Sequence, residues 1–316
     1  MRPRNFSALL LISSFWVLLS CNRNTSPVAS MPPTGATGDS LTFLVVGDWG
    51  KKGGQSQRAV AAQMNRAILH HGAQFIITTG DNFYYSGVAS ITDAHWKESF
   101  EEVYDQPGHQ VPWHPVLGNH DYGKNPQAQI EYSALSKRWQ LPARYYSMRR
   151  DIKGSKGVLF AFTDTSPLYD RHYAGGMSDL TKQDSAAQLD WLRKALTRSG
   201  QSWKIVIGHH PVYSGGPHGN TNELVAKFRP LFRETNTDFY ISGHDHSLQH
   251  LSVPGEGVQY LVSGGGSEGT RLAKHPFSRF GRAVPGFMIM TLYAGSATIY
   301  FYNKAGKLLY RQQVIK

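Results

Sequence analysis

The sequence predicts an α/β fold. Two observations carry that reading. From Leu41 onward, short apolar runs that each stop at a Gly-rich polar turn alternate with amphipathic stretches of helical period. The composition agrees: 40% hydrophobic and 17% charged residues, with 32 Gly, 7 Trp, 16 Tyr and 15 Phe, exclude both a disordered chain and a coiled coil. Residues 41–46, 74–78, 113–117, 158–162, 203–207, 238–241 and 259–262 read as buried strands, since each is a run of aliphatic and aromatic side chains bounded by breakers. Between them, residues 55–71, 93–104, 128–138, 183–197 and 223–232 read as helices. In the fourth, Ala187, Leu189, Leu192 and Leu196 recur at helical spacing, and Lys and Arg gather toward its end, where the helix dipole favours them. Helices would thus cover a largely parallel sheet. Residues 286–293, 297–302 and 308–314 follow one another with turns at 294–296 and 303–306, the pattern of an antiparallel meander. Residues 41–316 are expected to form one domain.

The first forty residues differ. Arg2 and Arg4 precede an apolar run over 6–19 that is too short to span a bilayer comfortably, as in a secretory signal covering residues 1–20. Cys21 is the only cysteine, so no internal disulfide can form. Ser20 directly before Cys21 resembles the lipobox of bacterial lipoproteins. That resemblance implies lipidation of Cys21 and an exported protein anchored to a bacterial membrane, periplasmic or at the cell surface. Residues 22–40, rich in Ser, Thr, Pro and Gly, read as a flexible tether. The chain carries 33 Lys and Arg against 22 Asp and Glu, a net charge of +11. Such a balance favours acidic ligands and fits phosphate esters, nucleic acid or an anionic membrane equally well.

The turns after the strands carry the chemistry. Val46 leads into Gly47-Asp48-Trp49-Gly50, Thr79 into Gly80-Asp81-Asn82-Phe83-Tyr84, and Leu117 into Gly118-Asn119-His120-Asp121. Ile207 leads into Gly208-His209-His210, and Ser242 into Gly243-His244-Asp245-His246. Ligands of α/β folds gather outside the carboxyl ends of the strands, so these five turns should converge. Two Asp, one Asn, three His and one Tyr are too many donors for one tetrahedral ion. They suit two metals sharing a carboxylate, and imidazole, carboxylate and phenolate favour iron, zinc or manganese over calcium or magnesium.

In order, GDWG, GDNFY, GNHD, VIGH and GHDH match the five metal-binding blocks of the calcineurin-like metallophosphoesterases. Tyr84 in GDNFYYSGV is the mark of the purple acid phosphatases, and GNHDYGKNPQAQIEYSALSKRW, QLDWLRKAL, HHPVYS and FRPLF look like the small, tartrate-resistant acid phosphatases. The resemblance runs from Leu41 to Lys316. It implies a β-sandwich of mixed sheets flanked by helices, a single catalytic domain, and hydrolysis of phosphate monoesters at acidic pH by a metal-activated hydroxide. It implies further that Asp48, Tyr84 and His246 hold Fe³⁺, that Asn119, His209 and His244 hold Fe²⁺, Zn²⁺ or Mn²⁺, and that Asp81 bridges. His120 and His218 then contact substrate and serve proton transfer, with Asp121 orienting the His120 ring.

Pro217 stands where animal members carry a glutamate implicated in proton transfer, so either His120 or His218 would act alone or the acid step matters less. Tyr169 and Glu223 stand where those members have disulfide cysteines, and the 166–181 loop does not align with their inhibitory loop. His210 is expected as a pocket neighbour, and His70, His71, His95, His114 and His250 on surfaces or helix ends. Lys51-Lys52 and Arg149-Arg150 read as solvated loops, so nucleic acid is not an expected partner, and the chain is expected to be monomeric. Two other readings stay open: a phosphodiesterase or nucleotide hydrolase of the same superfamily, and a non-catalytic surface lipoprotein.

Overall fold

A computed structural model describes residues 39–169, 180 and 183–316. The expected signal, Cys21, nearly all of the tether and most of the 166–181 loop lie outside the described residues. The described strands are β1 (Leu41–Val46), β2 (Ile76–Thr78), β3 (Trp113–Pro115), β4 (Tyr146–Arg150), β5 (Val158–Phe162), β6 (Trp203–Ile207) and β7 (Phe239–Ser242). Then come β8 (Leu248–Ser252), β9 (Gln259–Ser263), β10 (Ser278–Arg282), β11 (Gly286–Leu292), β12 (Ser296–Asn303) and β13 (Leu308–Ile315). The longer helices are α1 (Gln55–His71), α2 (Ala94–Trp96, continuing as a π-turn over Lys97–Glu101), α3 (Pro126–Tyr132), α4 (Ser185–Thr197) and α5 (Asn222–Thr235).

The strands form two mixed sheets. One has the order β13-β12-β11-β1-β2-β3, the other β10-β8-β9-β7-β6-β5-β4. In each, a parallel group carries the βα crossovers: β1-β2-β3 in the first and β5-β6-β7-β9 in the second. The expected meander β11-β12-β13 joins the first sheet antiparallel to β1, with Leu44 opposite Ile289. A single largely parallel sheet is therefore replaced by two mixed ones, as the family resemblance implied.

Alternation within β1 shows why the sheets pack. Leu41, Phe43 and Val45 enter one core with Phe75, Phe160, Phe162, Ile205, Ile207, Met288 and Met290, drawn from both sheets. There the Phe43 ring stacks on Phe75 and meets Phe160 edge-on, each at 5.2 Å between centroids. The outer face of the second sheet is covered by α4 and α5 through Leu192, Leu196, Leu224, Phe228 and Phe232. On α1, Val60, Ala61, Met64, Ala67 and Ile68 are buried at the spacing of one helical stripe, and Gly72 closes the helix at φ 66°. Among the described residues, no helix is long and apolar enough to cross a membrane.

β4, β8 and β10 escape the sequence pattern for physical reasons. β4 and β10 are sheet edges with exposed positions, so they do not read as apolar runs. In β8 the polar residues are buried but bonded: His250 to Tyr310 Oη and Gln259 Oε1, Gln249 to Ser214 and Ser247. The helix expected over 128–138 stops at Tyr132. Beyond it the Ser136 hydroxyl accepts the N–H groups of Arg138 and Trp139, which turns the chain.

The histidines divide. His70 and His71 close α1 and His95 lies in the short α2, the expected helix ends, whereas His114 and His250 lie within β3 and β8; of the five only His70 is exposed. Burial is tolerable because His71 meets Tyr302 Oη at 2.9 Å and His95 meets the Gly50 carbonyl at 3.1 Å. Burial also pushes the imidazoles of His71 and His114 down to about 4, so both are neutral at ordinary pH.

Candidate metal centre

All five predicted turns meet at the carboxyl ends of β1, β2, β3, β6 and β7, across the gap between the two sheets. Three of the site residues sit in the left-handed region: Asp48 at φ 60°, Asp81 at 48° and His244 at 67°. Non-Gly residues seldom adopt it, and here it aims each side chain inward. At the third turn a glycine is required by space, since a Cβ on Gly118 would lie 2.2 Å from Asp81 Oδ1. Beneath the turns, Trp49 packs edge-on against Phe83, Tyr104 and Trp113.

Two groups of donors share Asp81. On one side the Tyr84 hydroxyl lies 3.0 Å from Asp48 Oδ1, 3.0 Å from Asp81 Oδ2 and 2.9 Å from His246 Nε2. On the other, His209 Nε2 lies 3.0 Å from Asn119 Oδ1, 3.1 Å from His244 Nδ1 and 3.4 Å from Asp81 Oδ2. Ligand atoms of Asp48, Asp81 and His209 all fall within 4.8 Å of one another, as do those of His209, His210 and His244.

Acceptors outside the centre fix the imidazole tautomers. His209 Nδ1 donates to the Thr79 carbonyl at 2.8 Å, and His120 Nδ1 to the Tyr85 carbonyl at 2.6 Å. His246 Nδ1 faces Glu268 Oε1 at 2.6 Å. In each ring Nε2 is left for the centre. Across the sheets, the His244 N–H donates to Asp48 Oδ2 at 3.0 Å.

The electrostatics call for added positive charge. Burial raises the Tyr84 phenol well above its ordinary value, and the Asp48 and Asp81 carboxylates raise it further. Burial opposes charge on His209, yet the Asp81 carboxylate overcomes this and pushes the imidazole up to about 9. Reciprocally, His209, helped by His120 and His244, holds Asp81 well below the carboxylate range against its burial. A proton on His209 thus occupies the place that a cation would take.

Of the predicted site residues, Asp48, Asp81, Tyr84, Asn119, His209, His244 and His246 come together directly. His120 joins through its N–H, 2.8 Å from Asp81 Oδ1, and its ring, 4.6 Å from that of Tyr84. His218 joins with its ring 4.0 Å from that of His244. His210 is the expected neighbour, with Nδ1 2.8 Å from Thr165 Oγ1.

Asp121 does not orient His120. Its buried carboxylate accepts N–H groups of Asn82, Phe83 and Gly118 and the Gln129 amide, pinning the second and third turns together. The Tyr85 carbonyl holds the ring instead. Lys51 is not a solvated lysine either: its ammonium pairs with Glu268 at 2.6 Å and lies 4.9 Å from the centre of the Tyr84 ring. Sequence reasoning missed Glu268, which follows β9 in the run Ser263-Gly264-Gly265-Gly266-Ser267-Glu268. The strand-then-glycine signal was present there, with its acid two positions after the last glycine.

Comparisons with known proteins agree with this geometry. Residues 41–248 match the family model of the calcineurin-like phosphoesterases. The chain is 34% identical over 297 residues to purple acid phosphatase 7 of Arabidopsis thaliana, covering 88% of this chain and 87% of that one. It is 33% identical over 308 residues to tartrate-resistant acid phosphatase type 5 of Oryctolagus cuniculus, covering 89% and 93%. Among solved structures, GAP50, described as the anchor in the inner membrane complex of Plasmodium, aligns with a TM-score of 0.77 at 25% identity over 88% of this chain and 89% of its own. A purple acid phosphatase from yellow lupin shares the fold at a TM-score of 0.65 and 15% identity, over 87% of this chain and 54% of its own. With the five turns converged and both kinds of likeness spanning the folded chain, this protein belongs to the calcineurin-like phosphoesterases, and its relatives there include purple acid phosphatases.

Proposed function

We propose that this chain hydrolyses phosphate monoesters at acidic pH with a ferric ion and a divalent ion, Fe²⁺, Zn²⁺ or Mn²⁺. Asp48, Tyr84 and His246 would hold the ferric ion, Asn119, His209 and His244 the divalent one, with Asp81 between them. The observation that carries this reading is the Tyr84 hydroxyl, within 3.0 Å of Asp48, Asp81 and His246. A buried phenol between two carboxylates ionises only beside a strong cation, and hard carboxylate and phenolate oxygens suit Fe³⁺ while imidazoles and an amide suit the softer ion. Bound there, such ions supply Lewis-acid activation of water and neutralise the phosphate charge.

The chain's own groups supply the rest. His120 lies against the Tyr84 ring and His218 against the His244 ring, and each could orient a phosphate oxygen and pass a proton to the departing alcohol. Pro217 adds no acid. The test is a visible absorption spectrum of the purified protein beside Tyr84→Phe. A violet tyrosinate band in the parent that vanishes in the variant is expected; a colourless parent after growth with ample iron refutes the ferric assignment.

Comparing a nitrophenyl phosphate with the bis-ester separates monoesterase from diesterase. The likeness to GAP50 favours a second, non-catalytic reading as an anchoring protein, which the complete donor set opposes and which absence of turnover in metal-loaded protein would support. Export with a lipid on Cys21 belongs to the same proposal, and loss of membrane association in Cys21→Ser tests it.

A further inference from the structure

Asp245 carries the one side chain of the Gly243–His246 turn that the reading above leaves without a task. Its carboxylate is fully buried, and it contacts the 214–218 loop. Oδ1 lies 2.9 Å from His218 Nδ1 and accepts the His218 backbone N–H at 3.2 Å. Oδ2 accepts the Ser214 hydroxyl, and Ser214 Oγ in turn accepts from Gln249 Nε2 at 2.8 Å and from Gly216 N at 2.9 Å. The loop is wrapped closely on this carboxylate: a Cβ on Gly216 would fall 2.2 Å from Asp245 Cγ. His218, by contrast, is 53% exposed, with its ring laid against His244. An exposed imidazole would ordinarily turn freely and populate both tautomers. This one is held at one nitrogen by an acceptor that cannot move.

We propose that Asp245 is a positioning residue for proton transfer to the leaving group. It keeps His218 in one ring orientation with the proton on Nδ1, so that Nε2 is the atom presented to the ester oxygen. The proposal rests on the phosphatase reading. Before the step solvent protonates Nε2; the phosphorus–oxygen ester bond then breaks, its electron pair stays on the departing oxygen, and that oxygen takes the Nε2 proton, leaving the ring neutral with its one proton on Nδ1. The water oxygen that bonds to phosphorus gives its proton to solvent, and solvent returns one to Nε2. The imidazole stays bonded to Asp245 through Nδ1–H throughout. Replacing the acid by the isosteric amide keeps the shape but can present an N–H to Nδ1, which favours the wrong tautomer.

Two measurements on Asp245→Asn test this. In ¹⁵N-labelled, zinc-loaded protein, long-range ¹H–¹⁵N spectra should show His218 protonated at Nδ1 in the parent and shifted toward Nε2 protonation in the variant, with His218→Ala identifying the signal. In turnover, an alkyl phosphate needs its leaving oxygen protonated far more than a nitrophenyl phosphate does. The ratio of alkyl to nitrophenyl kcat should therefore fall by about tenfold or more in Asp245→Asn. It should fall similarly in His218→Ala, with no further fall in the double variant. An unchanged tautomer, equal losses on both esters, or loss of bound zinc overturns the proposal and leaves the phosphatase reading standing. A parent protein that hydrolyses neither ester overturns both.

Discussion

Adding one methyl group at Gly118 probes the whole centre without touching a donor. In Gly118→Ala the new Cβ would meet Asp81 Oδ1 at 2.2 Å and the Asp81 backbone nitrogen at 2.3 Å. Ordinary contact begins at 3.4 Å, so one of the two turns must retreat by about an ångström. The contact on backbone nitrogen excludes a simple side-chain rotation as relief. Overpacking of this kind costs about 1–3 kcal/mol, which at roughly 2–4 °C per kcal/mol predicts a melting temperature lower by several degrees. Function should suffer more, because Asp81 is shared by both donor groups, and a misplacement of about 1 Å at reacting groups costs on the order of 100-fold. The assay is kcat on a nitrophenyl phosphate, with bound metal and melting temperature measured on the same preparation. A variant that keeps its metal and retains kcat within about threefold of the parent would show that Asp81 is not where the chemistry converges.

Four further outcomes are expected. Asp164 is buried, which pushes its carboxyl up from 3.8 to about 6; the folded state then binds the proton more tightly than the unfolded one, so this contribution to stability is full below about pH 4 and lost as pH rises through about 6. Asp164→Asn should therefore gain on the parent by the order of 3 kcal/mol between pH 4 and pH 7, and parallel denaturation curves at the two pH values would contradict this. Asp121→Ala strands three buried backbone N–H groups and should cost roughly 3 kcal/mol or more by urea denaturation, where a loss under about 1 kcal/mol would refute the pinning role. Phe160→Ala opens the core between the sheets and should cost about 3–5 kcal/mol with little change in KM. Chelation should lower the melting temperature and readdition of zinc or manganese restore it, because Asp48 and Asp81 otherwise face a neutral phenol; a melting curve indifferent to chelator would argue against a bound cation.

Both fold and centre were legible to different depths. The buried parallel strands could be read because both of their faces are covered, and the five turns because each places a glycine and then a donor at a strand's end. What escaped depends on contacts between distant segments. β8 hides its polarity by bonding Gln249 and His250 to Ser214 and Tyr310, and no local pattern announces that. Asp121 looked like a partner for its neighbour His120, yet its oxygens reach residues 82, 83, 118 and 129, which only the folded turns bring near. Glu268 and Lys51 meet across more than two hundred residues, because the turn after β9 bonds to the turn after β1: Gly266 N–H donates to the Gly47 carbonyl at 2.9 Å and the Ser267 hydroxyl to the Asp48 carbonyl at 2.6 Å.

The donors divide by origin. Asp48, Asp81, Tyr84 and Asn119 follow strands of the first sheet, and His209, His244 and His246 follow strands of the second, with some ninety residues of chain between Asn119 and His209. Neither half carries a site by itself. On a ribosome, the first four donors would emerge long before the last three, and β11 to β13, which complete the first sheet, emerge last of all. Closure of such sequence-distant contacts is slow, so the centre is among the last features the nascent chain can assemble. A chain cut before Trp203 would present carboxylates and a phenol with none of the three histidines that finish the set, a product unable to begin premature chemistry.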